Sequence, residues 1–303
     1  MEFFSALRRS RLLAAYVVAG PLVALYLALV GYGTRFLVAS LANLVLLALY
    51  AAVINAATGQ ARPRSLPVQR PRLECALLAL YLVFLLARGL ARLGELHLGG
   101  AAPWLRQADA VVLSALATAT QYLPVTAGEA ARWQAALGDL FWLLLVPGLG
   151  FLALGYRPTA LGFRLDLWWV GLVLLALGAW PELAALASGG APAWPRTSGV
   201  AVAAAFLAGL AAEFFFRALL LTRLEALGLR DGSAIVATVL LYSLLQVPAQ
   251  LAAQGYDLIL AAAGLVVTAG ATAGLAWSYL FLRTKSLAPG TLWHASPWSA
   301  FPF

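Results

Sequence analysis

Long apolar runs, separated by short polar stretches, dominate this chain. The clearest cover 12–30, 36–56, 138–155, 167–187, 199–221, 233–252 and 258–282. Runs of this kind approach or exceed the roughly 20 residues that a helix needs to cross a bilayer. Two weaker runs lie at 75–87 and 108–124. The first is CALLALYLVFLLA, which stops at Arg88. The second carries Asp109, Thr118, Thr120 and Gln121, and reads as interfacial as readily as spanning. The pattern predicts an all-α polytopic transmembrane bundle.

The polar stretches arbitrate between the weak runs. Arg8, Arg9 and Arg11 place the N-terminus in the cytoplasm, because basic loops stay on that side. The loop GQARPRSLPVQRPR between the second and third runs carries four arginines and three prolines, and two crossings later it is again cytoplasmic. If exactly one weak run crosses, Arg157, Arg164, Arg223, Arg230, Arg283 and Lys285 also fall inside. If both cross, all six fall outside. The expectation is therefore about eight spans, with 75–87 crossing and 108–124 on or near the outer face; nine spans with a poor charge bias is the alternative. A short final segment, 288–303, would re-enter the membrane from the cytoplasmic side, where its irregular backbone must be covered by protein. The turn SGGAPAWPRTSG divides N-terminal helices, 1–187, from a C-terminal core, 188–303. The expected location is the plasma membrane, taken as the inner membrane of a prokaryotic cell.

Composition agrees with the pattern. Hydrophobic residues make up 63% of the chain and charged residues 11%, against about 25% charged in a soluble domain. Mean hydropathy is +0.89. A soluble helical protein of this composition would expose far too much apolar surface. The net charge of +8 resides mostly in arginines at span ends, so it points to lipid headgroups rather than nucleic acid. With a single cysteine, Cys75, the chain has no internal disulfide and no cysteine cluster for a metal. With only His97 and His294, a histidine-rich metal site is excluded, and no cofactor is implied.

The segment Ala211-Ala212-Glu213-Phe214-Phe215-Phe216-Arg217 places a carboxylate and a guanidinium four residues apart inside an apolar run, on one face of a helix. Charges in that position are paired, functional or both. Tyr242 and Gln246 lie one turn apart on the run 233–252, and Pro248 frees a backbone carbonyl nearby. His294 lies in TLWHASPW. Glu213, Gln246 and His294 could meet in the bundle interior. A Glu beside a His is a workable acid–base pair, and Gln246 and His294 could donate to an oxyanion. The same residues fit a structural role equally: a buried Glu213–Arg217 ion pair, a Gln246 helix–helix hydrogen bond and a packed His294. His97, beside Glu95 in a polar stretch, reads as a surface residue.

These residues resemble the CPBP family (Abi, or CAAX-protease-like intramembrane proteins), which includes the type II CAAX prenyl endopeptidases. The family's Glu-Glu-x-x-x-Arg falls on Ala212-Glu213-Phe214-Phe215-Phe216-Arg217. Its Phe-x-x-x-His falls on Tyr242 to Gln246, and its His-x-x-x-Asn on His294 to Trp298. GLAWSYLFLRTKSLAPGTLWHA, before and including the third motif, is similar to the family's run of Gly-rich span, Arg-Thr-x-Ser-Leu, Pro and His. The likeness covers about 199–298.

The resemblance implies a membrane bundle of CPBP type, with Glu213 and His294 as candidate catalytic residues and Ala212, Arg217, Tyr242, Gln246 and Trp298 lining the site. It also exposes departures. Where the family has its water-activating glutamate and its partner histidine, this chain has Ala212 and Gln246; where it has asparagine, this chain has Trp298. Alanine exchanges no proton, and a neutral glutamine is no general base. Adjacent side chains in an α-helix point about 100° apart, so Glu213 replaces the lost carboxylate only if the helix is distorted. The expectation is a catalytically impaired member that binds membrane lipids, or a membrane-embedded peptide or protein. The alternatives are an active endopeptidase using Glu213 and His294, and a transporter or scaffold unrelated to proteolysis.

Overall fold

The computed structural model describes residues 3–59, 65–97, 126–178, 199–229, 232–253, 257–267 and 269–295, with position 255 and scattered positions between 107 and 118. The described residues form an all-α bundle. In chain order the helices are α1 (Phe3–Arg9), α2 (Arg11–Leu29), α3 (Arg35–Thr58), α4 (Pro71–His97), α5 (Ala127–Ala153), α6 (Trp168–Gly178), α7, α8 (Gly232–Ala253), α9 (Leu258–Val267), α10 (Ala269–Thr284) and α11 (Ala288–His294). Helix α7 runs as Gly199–Ala212, a π-helical stretch Glu213–Leu221, and Thr222–Ala226.

Six of these helices are long and apolar enough to cross a membrane. They leave Val18, Leu22, Val38, Val45, Leu80 and Val83 exposed on their outer faces. Large exposed apolar faces of this kind are stable against acyl chains and not against water, so the protein is an integral membrane protein. Helix α7 is central: 72% of its apolar window is buried inside the bundle, against 22% for α3, α4 and α5. One core gathers α1, α2, α3, α6, α8, α10 and α11; a second packs α4 and α5 on α7.

Several boundaries differ from those the hydropathy pattern suggests. The weak run at 75–87 is the middle of α4, a helix of 27 residues. Hydropathy stops at Glu74 and Arg88, but the helix does not, because Glu74 is buried beside Arg223. α5 begins well before 138, at a capping box in which the Thr126 hydroxyl accepts from the Glu129 N–H while the Glu129 carboxylate accepts from the Thr126 N–H. Of the run 258–282, the described residues on both sides of position 268 are helical, as α9 and α10. Of the run 167–187 only α6 is described. Most of 108–124, and 296–303 with Trp298, lie outside the described residues.

The loops sort to two ends. At one end, the hydroxyl of Tyr156 accepts from the Gln69 N–H at 2.7 Å, Ser286 donates to the Arg164 carbonyl at 2.6 Å, and the Leu287 N–H donates to the Gly162 carbonyl at 3.0 Å. Arg283 donates to Thr58 there, and Lys285 meets Glu225 at 2.7 Å. At the other end, the Tyr32 hydroxyl donates to Asp257 at 2.7 Å. Arg223 also departs from its expected place among the headgroups: it is fully buried, and its Nε donates to Glu74 Oε2 at 3.0 Å.

Candidate functional site

The site forms where the π-helical part of α7 meets α8, α10 and α11. A π-helix closes i→i+5 hydrogen bonds, is rare, and is frequent at functional sites. Its return to α-geometry disturbs the ladder, and side chains make up for it here: the Thr222 hydroxyl donates to the Arg217 carbonyl at 3.3 Å and Arg223 Nη1 to the Ala218 carbonyl at 2.8 Å. All nine residues from Glu213 to Leu221 are buried.

Glu213 is 1% exposed. Its Oε1 lies 3.5 Å from Arg217 Nε and 3.3 Å from His294 Nδ1. The Glu213 carboxylate therefore stands between a guanidinium on its own helix and an imidazole on α11. The approach of α11 depends on two glycines. A Cβ on Gly209 would collide with His294 Cβ, and one on Gly290 would lie 2.7 Å from Glu213 Cδ.

Aromatic rings enclose the charges. The guanidinium carbon of Arg217 lies 5.2 Å from the Tyr242 ring centroid, 5.5 Å from that of Trp277 and 5.9 Å from that of Phe216. Cations over aromatic faces are attracted by the ring quadrupole, more so when desolvated. The His294 ring lies on Trp277, with centroids 3.6 Å apart. Gln246 is half-buried and lies one turn beyond Tyr242 on α8. Ala212 is buried in the second core.

Arg217 Nη1 and Nη2, Trp277 Nε1 and Thr291 Oγ1 are buried without a hydrogen-bond partner among the described residues. Leaving such groups unmatched costs about 1–3 kcal/mol each. Arg217 and Trp277 thus bring donor-bearing side chains beside Glu213 and His294, while the two Glu213 carboxylate oxygens are themselves buried acceptors without a hydrogen-bond partner among the described residues. Among the described residues, no three His, Cys, Asp or Glu side chains gather as they would around a metal ion.

Of the residues singled out from sequence, the fold brings together Glu213, Arg217, Tyr242 and His294, sets Gln246 one turn beyond Tyr242, and places Ala212 beside them in the chain but in a packed core. Trp277, Thr291, Gly209 and Gly290 are additions. Trp277, Gly290 and Thr291 sit within the run 274–295, but no spacing rule marks them.

Residues 194–297, about a third of the chain, match the family model described as Type II CAAX prenyl endopeptidase Rce1-like. No curated protein and no solved structure matches the chain.

Proposed function

We propose that this protein is a CPBP-type intramembrane protein that binds a membrane-embedded peptide, lipid or partner protein without hydrolysing it. One observation carries the reading: the carboxylate that remains, Glu213, is 1% exposed and held between Arg217 and His294. Attack on an amide needs a base that reaches water and donors that hold the oxyanion. Donors are present beside Glu213 and His294, in Arg217 and Trp277. The base is not, because position 212 is alanine and position 246 is a neutral glutamine. A peptide amide, which offers both a carbonyl acceptor and an N–H donor, matches what is left.

The contact of Glu213 with His294 favours a second reading, a rewired endopeptidase in which this pair does the acid–base work. The π-helical winding at Glu213 supplies the kind of helix distortion that such rewiring needs.

The end-sorting of loops supports eight crossings. The segments 57–73 and 154–167 meet through Gln69, Glu74 and Tyr156, so the chain crosses an even number of times between them. Helices α4 and α5 supply two crossings, so this topology needs none from 108–124. With the basic ends cytoplasmic, the N-terminus and α11 both lie on that side.

The binding reading is tested with a membrane-tethered peptide added to protein in nanodiscs. The peptide is expected to bind and to be recovered intact, and Trp277→Phe, which removes one inward donor and keeps the ring, is expected to weaken binding about fivefold to tenfold. No binding, or recovery of cleaved peptide, contradicts the reading.

A further inference from the structure

The loop that joins α5 to α6 and the segment that precedes α4 enclose a cleft of about 340 Å³, lined by Pro67, Gln69, Tyr156, Arg157, Thr159 and Arg164 among others. Its volume sits at the low end of the range for small-ligand pockets, about 300–1,000 Å³. It holds two guanidiniums and no acidic side chain.

The walls are fixed. Tyr156 is 5% exposed and forms the floor. Its hydroxyl donates to Glu74 Oε1 at 2.5 Å and accepts from the Gln69 N–H at 2.7 Å, so it ties one wall to the other. Burial, then the bond to the Glu74 carboxylate, push the Tyr156 phenol above its ordinary range and keep it a neutral donor. On the other wall, Gly162 has a φ of +85° and packs on Ala218 and Leu287, while the Arg164 carbonyl accepts from Ser286. The Arg164 Nε donates to the Thr159 carbonyl at 3.0 Å, which holds the guanidinium at the cleft. Arg157 forms no ion pair among the described residues.

The surroundings identify the ligand's other half. The cleft lies between the end of α5 and the start of α4, and the exposed residues Leu152, Leu154, Phe163, Leu165, Trp168 and Trp169 flank its lining residues along the chain. Tryptophans beside arginines mark the headgroup level of a bilayer. A soluble anion would have no use for the apolar border; a phosphate carried on acyl chains would use both. We propose that this cleft is a binding site for the phosphate of an anionic phospholipid, held by Arg157 and Arg164, with its acyl chains on the apolar border. The site lies apart from Glu213 and does not depend on the function proposed above.

Native mass spectrometry of the purified protein with dioleoyl phosphatidylglycerol and dioleoyl phosphatidylcholine tests this. Phosphatidylglycerol should bind more tightly, and R157Q/R164Q should lose about tenfold or more in its affinity, on the basis of about fivefold per basic side chain at a membrane surface. R9Q/R11Q, which removes two exposed arginines from α1 and α2, should keep wild-type affinity. A160W fills the cleft without changing charge and should weaken binding as well. Equal affinity for the two lipids overturns the proposal. So does an equal loss in R9Q/R11Q, which would mean diffuse surface charge, or undiminished binding by A160W. Full competition by glycerol phosphate would show a free-phosphate site and overturn the lipid assignment.

Discussion

Glu213 holds together two elements that sequence alone leaves separate. On its own helix it neutralises Arg217; across the bundle it meets His294. Replacing a buried pair's acid leaves the base uncompensated, at about 3–5 kcal/mol in soluble proteins. Losing a buried hydrogen bond costs about 1–3 kcal/mol. Glu213→Gln is therefore expected to lower thermal stability in detergent more than His294→Gln; both substitutions keep much of the volume, so packing loss does not dominate. Equal melting points for wild type and Glu213→Gln would mean that the ion pair contributes nothing. Gly209→Ala is expected to cost about 1–3 kcal/mol by overpacking, since its Cβ meets His294. Charged residues in an apolar run announce themselves, so Glu213, Arg217 and His294 were legible in the sequence. Trp277, Thr291 and the two glycines were not: their role lies in which helix faces them, and a tryptophan in a membrane protein is ordinary.

Among the elements, α4 shows most clearly what a hydropathy window misses. A window reads Glu74 as the end of a span, because a carboxylate in lipid is costly. The cost disappears when Arg223, 149 residues away in sequence, donates to it, with Tyr156 and the Arg70 N–H satisfying the other oxygen. That pairing fixes α4 on the end of α7 and accounts for a buried arginine that otherwise reads as a headgroup contact. A double-mutant cycle with Glu74→Gln and Arg223→Met should give a coupling of about 0.5–3 kcal/mol; additive effects would show that the two act independently. The π-helical stretch in α7 was also invisible beforehand, since α- and π-windings bury the same apolar residues. At the opposite end, Tyr32 and Asp257 join two loops. The Tyr32 hydrogen bond first, and the Leu260 and Ile259 N–H groups after it, hold the Asp257 carboxyl below its ordinary range. A depressed carboxyl binds its proton less tightly in the folded state, so its contribution is complete above the unfolded value of about 3.9 and is lost as pH falls through the folded one. The stability difference between wild type and Asp257→Asn is expected to close on acidification below about pH 4; a gap that widens there has the wrong sign.

For the molecule as a whole, the eight-span topology proposed above gathers the basic loops at one end, and labelling tests it. In a Cys75→Ala background, cysteines at Arg72 and Arg157 should resist an impermeant thiol reagent applied to intact cells, and one at Glu129 should react. Labelling at Arg157 together with Arg72 protection would break the eight-span arrangement. The order of the three motifs along the chain was readable from the start, as were the membrane and a possible meeting of Glu213 and His294 in the interior; the near-complete burial of the Glu213 carboxylate was not, because burial is a property of the assembled bundle. The central claim is that the scaffold of an intramembrane protease persists here without its base. Hydrolysis of membrane-tethered peptides by the purified natural protein, run beside Glu213→Ala and the triple variant Ala212→Glu, Gln246→His, Trp298→Asn, tests it most directly. No cleavage by the natural protein, with cleavage appearing only in a folded triple variant, is the predicted result. Clear cleavage by the natural protein, abolished in a folded Glu213→Ala variant, would contradict it and establish Glu213 and His294 as a working pair.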